Sequence, residues 1–427
     1  MSQPVATTSS ILSRIVQPEW LVGLREDYEK IFVTAWSPYL GAILLVMVTV
    51  ALMINGLFWG VFGGVKLWGD YFNNFVGLGS VFGIKQELES PLLHRISLMN
   101  INLVLGAFSA ALLAGQFSFK RPPKLEYIWA ALGGIFMGMG ASLAGGCTTG
   151  GFFTPLMFAS PAGWAMWAGL LVGAFIGLKL LMWTMENISW GTRAPTSAPI
   201  ALFGKLAPLV GVLIFGLVIY WASTWFVAED KRLVSRAIII LAGFGLGFIL
   251  NRSRFCLSRV FREPFMTGDG TMTKAMILAL ALGIPVASLL LQHNTMDPYL
   301  AVPATFWLGS ILGGMIFGIG MIFAGGCASG SLWRVGEGQL KLLVTVFFFG
   351  WSGSVIRPIL NRWNLLTPEF DLDVLDGMVE ITKVGYQAYI PDLLGGWGQA
   401  YLISFGILII WYLLVSYNES TSKFTVL

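Results

Sequence analysis

Gly133-Gly134-Ile135-Phe136-Met137-Gly138-Met139-Gly140-Ala141-Ser142-Leu143-Ala144-Gly145-Gly146-Cys147-Thr148-Thr149-Gly150 is a stretch that the chain contains twice. The second copy is Gly313-Gly314-Met315-Ile316-Phe317-Gly318-Ile319-Gly320-Met321-Ile322-Phe323-Ala324-Gly325-Gly326-Cys327-Ala328-Ser329-Gly330. The two superimpose without a gap at an offset of 180 residues, and nine of the eighteen positions are identical. Both copies end an apolar segment. Helices that merely share a membrane composition would not match in glycine spacing and in cysteine position together. The pair therefore reads as an internal duplication with one cysteine at each equivalent point.

Composition fixes the solvent. Hydrophobic residues make up 56% of the chain and charged residues 11%, against about 25% charged in soluble domains. Mean hydropathy is +0.76. Such a surface faces lipid. The 17 Trp and 31 Phe suit interfacial anchoring and apolar packing, and the 52 Gly suit close helix crossings. A net charge of +4 spread over loops speaks for membrane orientation rather than a nucleic-acid partner. Three cysteines, all in or beside apolar segments, argue against a disulfide framework.

Apolar runs of about 20 residues cross a bilayer as helices. Ten such runs are expected, at 36–62, 97–117, 126–146, 162–185, 205–227, 234–251, 273–292, 304–326, 339–360 and 397–416. The fold class is thus all-α, a polytopic integral membrane protein. Lys120, Arg121 and Lys124 follow the second run, and Arg252, Arg254, Arg259 and Arg262 follow the sixth. The positive-inside rule places both loops, and with them the N-terminus, in the cytoplasm. Lys231-Arg232 is the exception, since it falls on the outer side. The fifth run, unpaired between two sets of four, reverses the second set. The result is an inverted-topology repeat with helices broken at the Gly-Gly-Cys motifs, an arrangement that transporters use to hold a site near the midplane. The expected divisions are a cytoplasmic arm at 1–35, a first repeat at 36–186 with a polar insert at 63–96, and a linker helix region at 187–233. A second, inverted repeat follows at 234–360, then an acidic extracytoplasmic loop at 361–396, with an added helix and tail at 397–427.

A Gly doublet lets the backbone leave helical geometry and approach a ligand. In hydrocarbon the freed N–H and C=O groups need protein or a lined cavity. A helix broken at Gly145-Gly146 or Gly325-Gly326 and restarted beyond the cysteine presents N–H groups beside Cys147 or Cys327, and helix starts attract anions. Thr148, Thr149 and Ser329 add hydroxyls. The plain alternative is packing, because small residues are common at crossings and free Cys is a common core residue. The third cysteine lies in Asn251-Arg252-Ser253-Arg254-Phe255-Cys256-Leu257-Ser258-Arg259-Val260-Phe261-Arg262-Glu263. Arg254 and Arg259 read as a membrane anchor or as a basic mouth drawing anions toward Cys256. Arg334 reads as a counter-charge at the same mouth or as the partner of Glu337. If Asn55 aligns with Asn251, Gly60 stands where the first half would carry a cysteine. No metal centre or cofactor is expected: no C-x-x-C is present, and His94 and His293 lie in the insert and an outer loop. A soft sulfur-bearing anion suits thiols, which are weak S–H donors with polarisable sulfur.

Ala-Gly-Gly-Cys-x-[Ser/Thr]-Gly twice, with Arg-Phe-Cys-x-x-x-x-Phe-Arg-Glu, resembles the YeeE/YedE sulfur-transport family of bacterial inner-membrane proteins. Ser90-Pro91-Leu92, Met266-Thr267-Gly268 and Glu337-Gly338-Gln339 are further likenesses to its longer YedE-like branch. The resemblance implies a transporter, not an enzyme, that imports thiosulfate or a related sulfur or selenium anion. In it Cys147, Cys256 and Cys327 would pass the anion along by S–H···S contacts. It also implies work with a small cytoplasmic TusA-like sulfur carrier. A membrane sulfur-relay protein carrying a persulfide, and a soft-metal permease, remain the alternatives.

Overall fold

The computed structural model describes residues 19–187, 196–198, 206–293, 295–371 and 379–426. The expected arm, linker and acidic loop fall partly outside these residues, Asp373 and Asp376 included. Among the described residues nine helices are long and apolar enough to cross a membrane. A bent pair, Gly23–Val33 with Pro38–Ile54 at 74°, brings the number to ten. The protein is an all-α multi-pass membrane protein.

A short helix α1 (Glu19–Tyr28) leads to α2 (Pro38–Ile54), whose start is set by Pro38 and by the Ser37 side chain accepting from the Tyr39 N–H. The chain leaves helical geometry, then forms α3 (Phe62–Phe75), the short α4 (Gly79–Phe82), α5 (Arg95–Leu113), α6 (Glu126–Ala144), the short α7 (Thr154–Met157) and α8 (Pro161–Asn187). α9 (Ala207–Phe226) follows. The second half repeats the order: α10 (Lys231–Ser253), α11 (Leu257–Met266), α12 (Thr271–Gln292), α13 (Leu308–Ala324), α14 (Ala328–Gly336) and α15 (Leu340–Arg362). The short α16 (Ile390–Leu394) and the long α17 (Trp397–Thr421) complete the chain. α9 and α17 expose Leu209, Leu213, Leu402 and Leu413, an outward apolar face suited to lipid.

The glycines shared by the two copies set the central crossing. A Cβ on Gly133 would lie 2.7 Å from the Gly320 carbonyl oxygen, and one on Gly320 2.7 Å from that of Gly133. Gly140 and Gly313 meet in the same reciprocal way, at 2.5 and 2.6 Å. Because Gly133 is equivalent to Gly313 and Gly140 to Gly320, α6 and α13 run antiparallel about a two-fold axis across them. The symmetry extends one helix outward. Gly138 of α6 abuts Gly353 of α15, and its equivalent Gly318 of α13 abuts Gly173 of α8. The two halves are therefore inverted copies packed backbone to backbone, as close helix approach in lipid requires.

Two expectations are corrected here. The first span, expected at 36–62, stops at Ile54, and Gly56 turns the chain at φ 67°. The stretch read as a polar insert opens as α3, which packs against α5 and α15. Lys66, Asp70 and Asn73 on this helix join one network with Ser354 of α15. Lys66 Nζ lies 2.7 Å from Asp70, whose second oxygen accepts from Ser354 Oγ at 2.6 Å, and Asn73 donates to the same hydroxyl at 2.9 Å. α3 is thus the counterpart of α11, a short helix after a break. The outlying Lys231-Arg232 also finds its explanation. Arg232 pairs with Glu89, and Arg236 Nε donates to the Leu93 carbonyl at 2.6 Å, which ties the start of α10 to the loop after α3.

Candidate functional site

Each Gly-Gly-Cys motif breaks its helix in the same way. Gly145 ends α6 at φ 75° and Gly325 ends α13 at φ 81°, both left-handed, where a side chain is strained. Cys147 (φ −80°) and Cys327 (φ −79°) are then the extended residues before the next turn. After Cys147 the chain makes a π-helical turn, with the Gly151 N–H donating to the Cys147 carbonyl at 2.7 Å. After Cys327 it starts α14, with the Gly330 N–H donating to Cys327 Sγ at 3.3 Å and the Ser329 hydroxyl 3.6 Å from the same sulfur. Cys256 occupies the matching position before α11, after Arg254 at φ 54°. All three thiols are buried.

The structure brings two of the sulfurs together. Cys256 Sγ lies 3.9 Å from Cys327 Sγ, and Gly330 backs both, since a Cβ there would lie 2.6 Å from one sulfur and 3.1 Å from the other. Cys147 stands apart: among the described residues its thiol has no hydrogen-bond partner. The turns that follow Cys147 and Cys256 do meet, with the Phe152 and Phe261 rings 5.4 Å apart. Gly150 faces Gly60 as Gly330 faces Cys256; a Cβ on Gly150 would meet the Gly60 Cα at 4.0 Å. Gly60 is the spatial counterpart of Cys256, and the first half has no sulfur there.

Polar groups collect around the breaks. Among the described residues, the hydroxyls of Thr148, Thr149, Ser258 and Ser331 and the indole N–H groups of Trp59 and Trp333 are buried with no hydrogen-bond partner. Left unmade, each costs about 1–3 kcal/mol. Thr148 and Thr149 were legible as hydroxyls beside Cys147. Ser331 could have been found as the residue one turn past Cys327. The two indoles gave no signal in a chain with 17 Trp.

The expected basic mouth is partly neutralised. Arg254 pairs with Glu337, which is buried and also accepts from Asn251 Nδ2 at 3.0 Å. Arg259 Nε lies 2.5 Å from Glu263. Glu337 is therefore taken by Arg254 rather than by Arg334. Arg334 instead donates to the Gly325 carbonyl at 3.0 Å and packs on the Trp333 ring. Among the described residues, neither Arg334 nor Arg262 has a carboxylate within ion-pair distance, so both keep an unbalanced charge near Cys256.

At the other break lies a cavity of about 300 Å³ lined by Gly60, Gly145 and Gly150, with Lys66 and Arg357 in its wall. Neither cation was among the expected site residues: Lys66 falls in the stretch read as a polar insert at 63–96, and Arg357 lies five residues before the end of α15. Among the described residues no group of three or more His, Cys, Asp or Glu side chains is placed to hold a metal ion. Two thiols in contact, with unpartnered O–H and N–H donors among the residues of the breaks, suit an anion with a polarisable atom.

A family profile described as sulphur transport matches residues 9–176 and 252–425. The probable transporter YedE of Escherichia coli (strain K12) is 27% identical over 317 residues, which is 71% of this chain and 77% of that protein. The thiosulfate transporter TsuA of Spirochaeta thermophila is 37% identical over 126 residues, 30% of this chain and 38% of the relative. The TsuA of Escherichia coli (strain K12) is 33% identical over 118 residues, 28% and 33% respectively.

Proposed function

The chain belongs to the sulphur transport family, and from that footing we propose that it takes up thiosulfate, or a closely related sulfur or selenium anion, across the bacterial inner membrane. The anion passes from the Gly60–Gly145–Gly150 cavity along the buried donors at the two breaks and past Cys147, Cys256 and Cys327. The observation that carries the reading is the thiol pair: Cys256 and Cys327, buried, 3.9 Å apart and backed by Gly330. Neutral thiols donate weakly to a soft anion and hold it less firmly than a fixed cation would in a low dielectric. They can release what they bind. The face bearing Lys120, Arg254, Arg259 and Arg334 is then cytoplasmic, and the face bearing the cavity is outside. A cytoplasmic TusA-like carrier would receive sulfur at the basic face.

The test is growth of a bacterium without its own sulfur importers on thiosulfate as sole sulfur source. The wild-type chain is compared with Cys147→Ala, Cys256→Ala and Cys327→Ala at matched membrane expression. Rescue by wild type alone supports the reading, and rescue by every variant reduces the thiols to packing. A second reading is favoured by the contact between two thiols. In it a Cys256 thiolate attacks the outer sulfur of thiosulfate, the S–S bond breaks, sulfite leaves with the electron pair, and a persulfide remains on Cys256. A mass gain of one sulfur atom on a Cys256 peptide after thiosulfate exposure would establish that route.

A further inference from the structure

The counterpart helices α3 and α11 each carry a buried acid–base pair. On α3, Lys66 Nζ lies 2.7 Å from Asp70. On α11, Arg259 Nε lies 2.5 Å from Glu263. In both, the cation comes first and the acid follows four residues later. Asp70 is 5% exposed and Glu263 8%. Acids in membrane segments are costly, and where they occur they mark ion or proton pathways. Each pair also has a way to change partners. Lys66 lines the Gly60–Gly145–Gly150 cavity and a second one of about 420 Å³, and Asp70 lines the second as well. The ammonium can therefore turn from its carboxylate and stay in a cavity, and water can reach the acid. Glu263 gives one oxygen to Arg259, while the other, Oε2, is buried with no hydrogen-bond partner among the described residues. A proton fits both sites. A metal ion does not, because an ammonium or a guanidinium already stands where it would bind.

We propose that anion uptake is coupled to proton entry, with Asp70 the outer proton-binding group and Glu263 the inner one. A doubly charged anion entering against an inside-negative potential gains from a companion cation. When an anion in the first cavity draws Lys66 away, Asp70 is left with the Ser354 hydroxyl, at 2.6 Å, as its remaining partner. A buried carboxylate that has lost its counter-charge is relieved by a proton, here from the cavity water. No bond to the cargo forms or breaks, and nothing is oxidised. By reciprocity, the proton favours the anion as much as the anion favours the proton. The other charged residues of the second cavity are positive: Lys85 beyond α4, and Arg357 and Arg362 of α15. From the head of α5, His94 acts on Lys66. At the inner pair, Arg262 of α11 faces Glu263, and Arg334 of α14 faces Arg262. The neighbouring helices add no free charge there: Lys274 of α12 is held by Glu419 of α17, and Lys179 of α8 lies over the Phe175 ring. The coupling rests on the uptake reading above.

The test uses the purified full chain in liposomes, with a pH-sensitive dye inside and the membrane potential clamped by potassium and valinomycin. Two readouts are taken. One is exchange of radiolabelled thiosulfate outside for unlabelled thiosulfate inside, which needs no net proton movement. The other is acidification of the lumen when thiosulfate is added outside alone. Thiosulfate is a dianion at neutral pH, so it brings no proton of its own. Wild type should show both signals. Asp70→Asn should keep the exchange and lose the acidification. Glu263→Gln should do the same, and it stands in if Asp70→Asn does not fold. Exchange by wild type without acidification overturns the coupling and leaves the uptake reading intact. Acidification equal to wild type in the folded variants overturns the roles of Asp70 and Glu263. Absence of exchange by wild type overturns the uptake reading, and the coupling falls with it.

Discussion

Gly330→Ala is the sharpest perturbation the site allows. The methyl carbon would sit 2.6 Å from Cys256 Sγ and 3.1 Å from Cys327 Sγ. Non-bonded contacts of this kind settle near about 3.5–4.0 Å, so the Cys256 sulfur must retreat by roughly 1 Å and the thiol pair must open. Overpacking of this size costs about 1–3 kcal/mol, a factor of roughly 5 to 150 if it falls on the transport barrier. The backbone itself has no objection. Gly330 lies inside α14 at a helical φ, where Ala is favoured over Gly by about 1 kcal/mol. The fold should therefore survive. Gly216→Ala, on the outward face of α9, is the internal control, because its Cβ would meet nothing within 4 Å. The assay is initial uptake of radiolabelled thiosulfate in cells, normalised to membrane-inserted protein, with thermal stability measured in parallel. Gly330→Ala should lose most of its uptake at near-native stability, while Gly216→Ala keeps it. Equal uptake by the two variants would refute a path through the Cys256–Cys327 contact.

Other outcomes follow from the same geometry. In a Cys147→Ala background, a mild oxidant should take two electrons and two protons from Cys256 and Cys327. Their sulfurs would close from 3.9 Å to about 2.05 Å; maleimide labelling of the unfolded chain should then fall, and a reductant should restore it. Gly140→Val should lower the yield and thermal stability of folded protein by about 1–3 kcal/mol or more, because backbone of α13 lies 2.5 Å from the new Cβ. Glu337→Gln should destabilise by about 1–3 kcal/mol, below the figure for a fully buried pair because the Arg254 side chain is 34% exposed. Denaturation in detergent checks the last two.

What could be read from the chain was whatever depends on local backbone chemistry. Gly145 and Gly325 are left-handed because only glycine sits there comfortably, and a doublet before a cysteine announces that. The antiparallel crossing followed from the duplication plus one unpaired span. The Cys256–Cys327 contact could not be read, because 71 residues separate the two and their meeting depends on how α11 and α14 converge after the inversion. Lys66 and Asp70 misled for a definite reason. They are four residues apart on one helix face and neutralise each other, so a segment that looks hydrophilic in sequence packs between α5 and α15. Arg357 could not be singled out, because the cavities whose wall it shares are built from α3, α15 and loops far apart in the chain. Arg254 and Glu337 drew together from opposite ends of two loops, which displaced the Arg334–Glu337 pairing that proximity in sequence suggested.

Gly60 facing Gly150 and Cys256 facing Gly330 make a symmetric frame with unequal contents. On the proposed path, an ion entering from one end would meet a single sulfur before the centre, and from the other end two. Dwell times at the two ends must therefore differ, and so must the half-saturating concentrations measured from each side. Their ratio is still bound by detailed balance. With no coupled gradient, a tighter grip at one end must be matched by slower departure from it. The missing sulfur can set the speed of exchange in each direction but cannot rectify it, so any net accumulation of cargo has to come from consumption inside the cell or from an ion that travels with it.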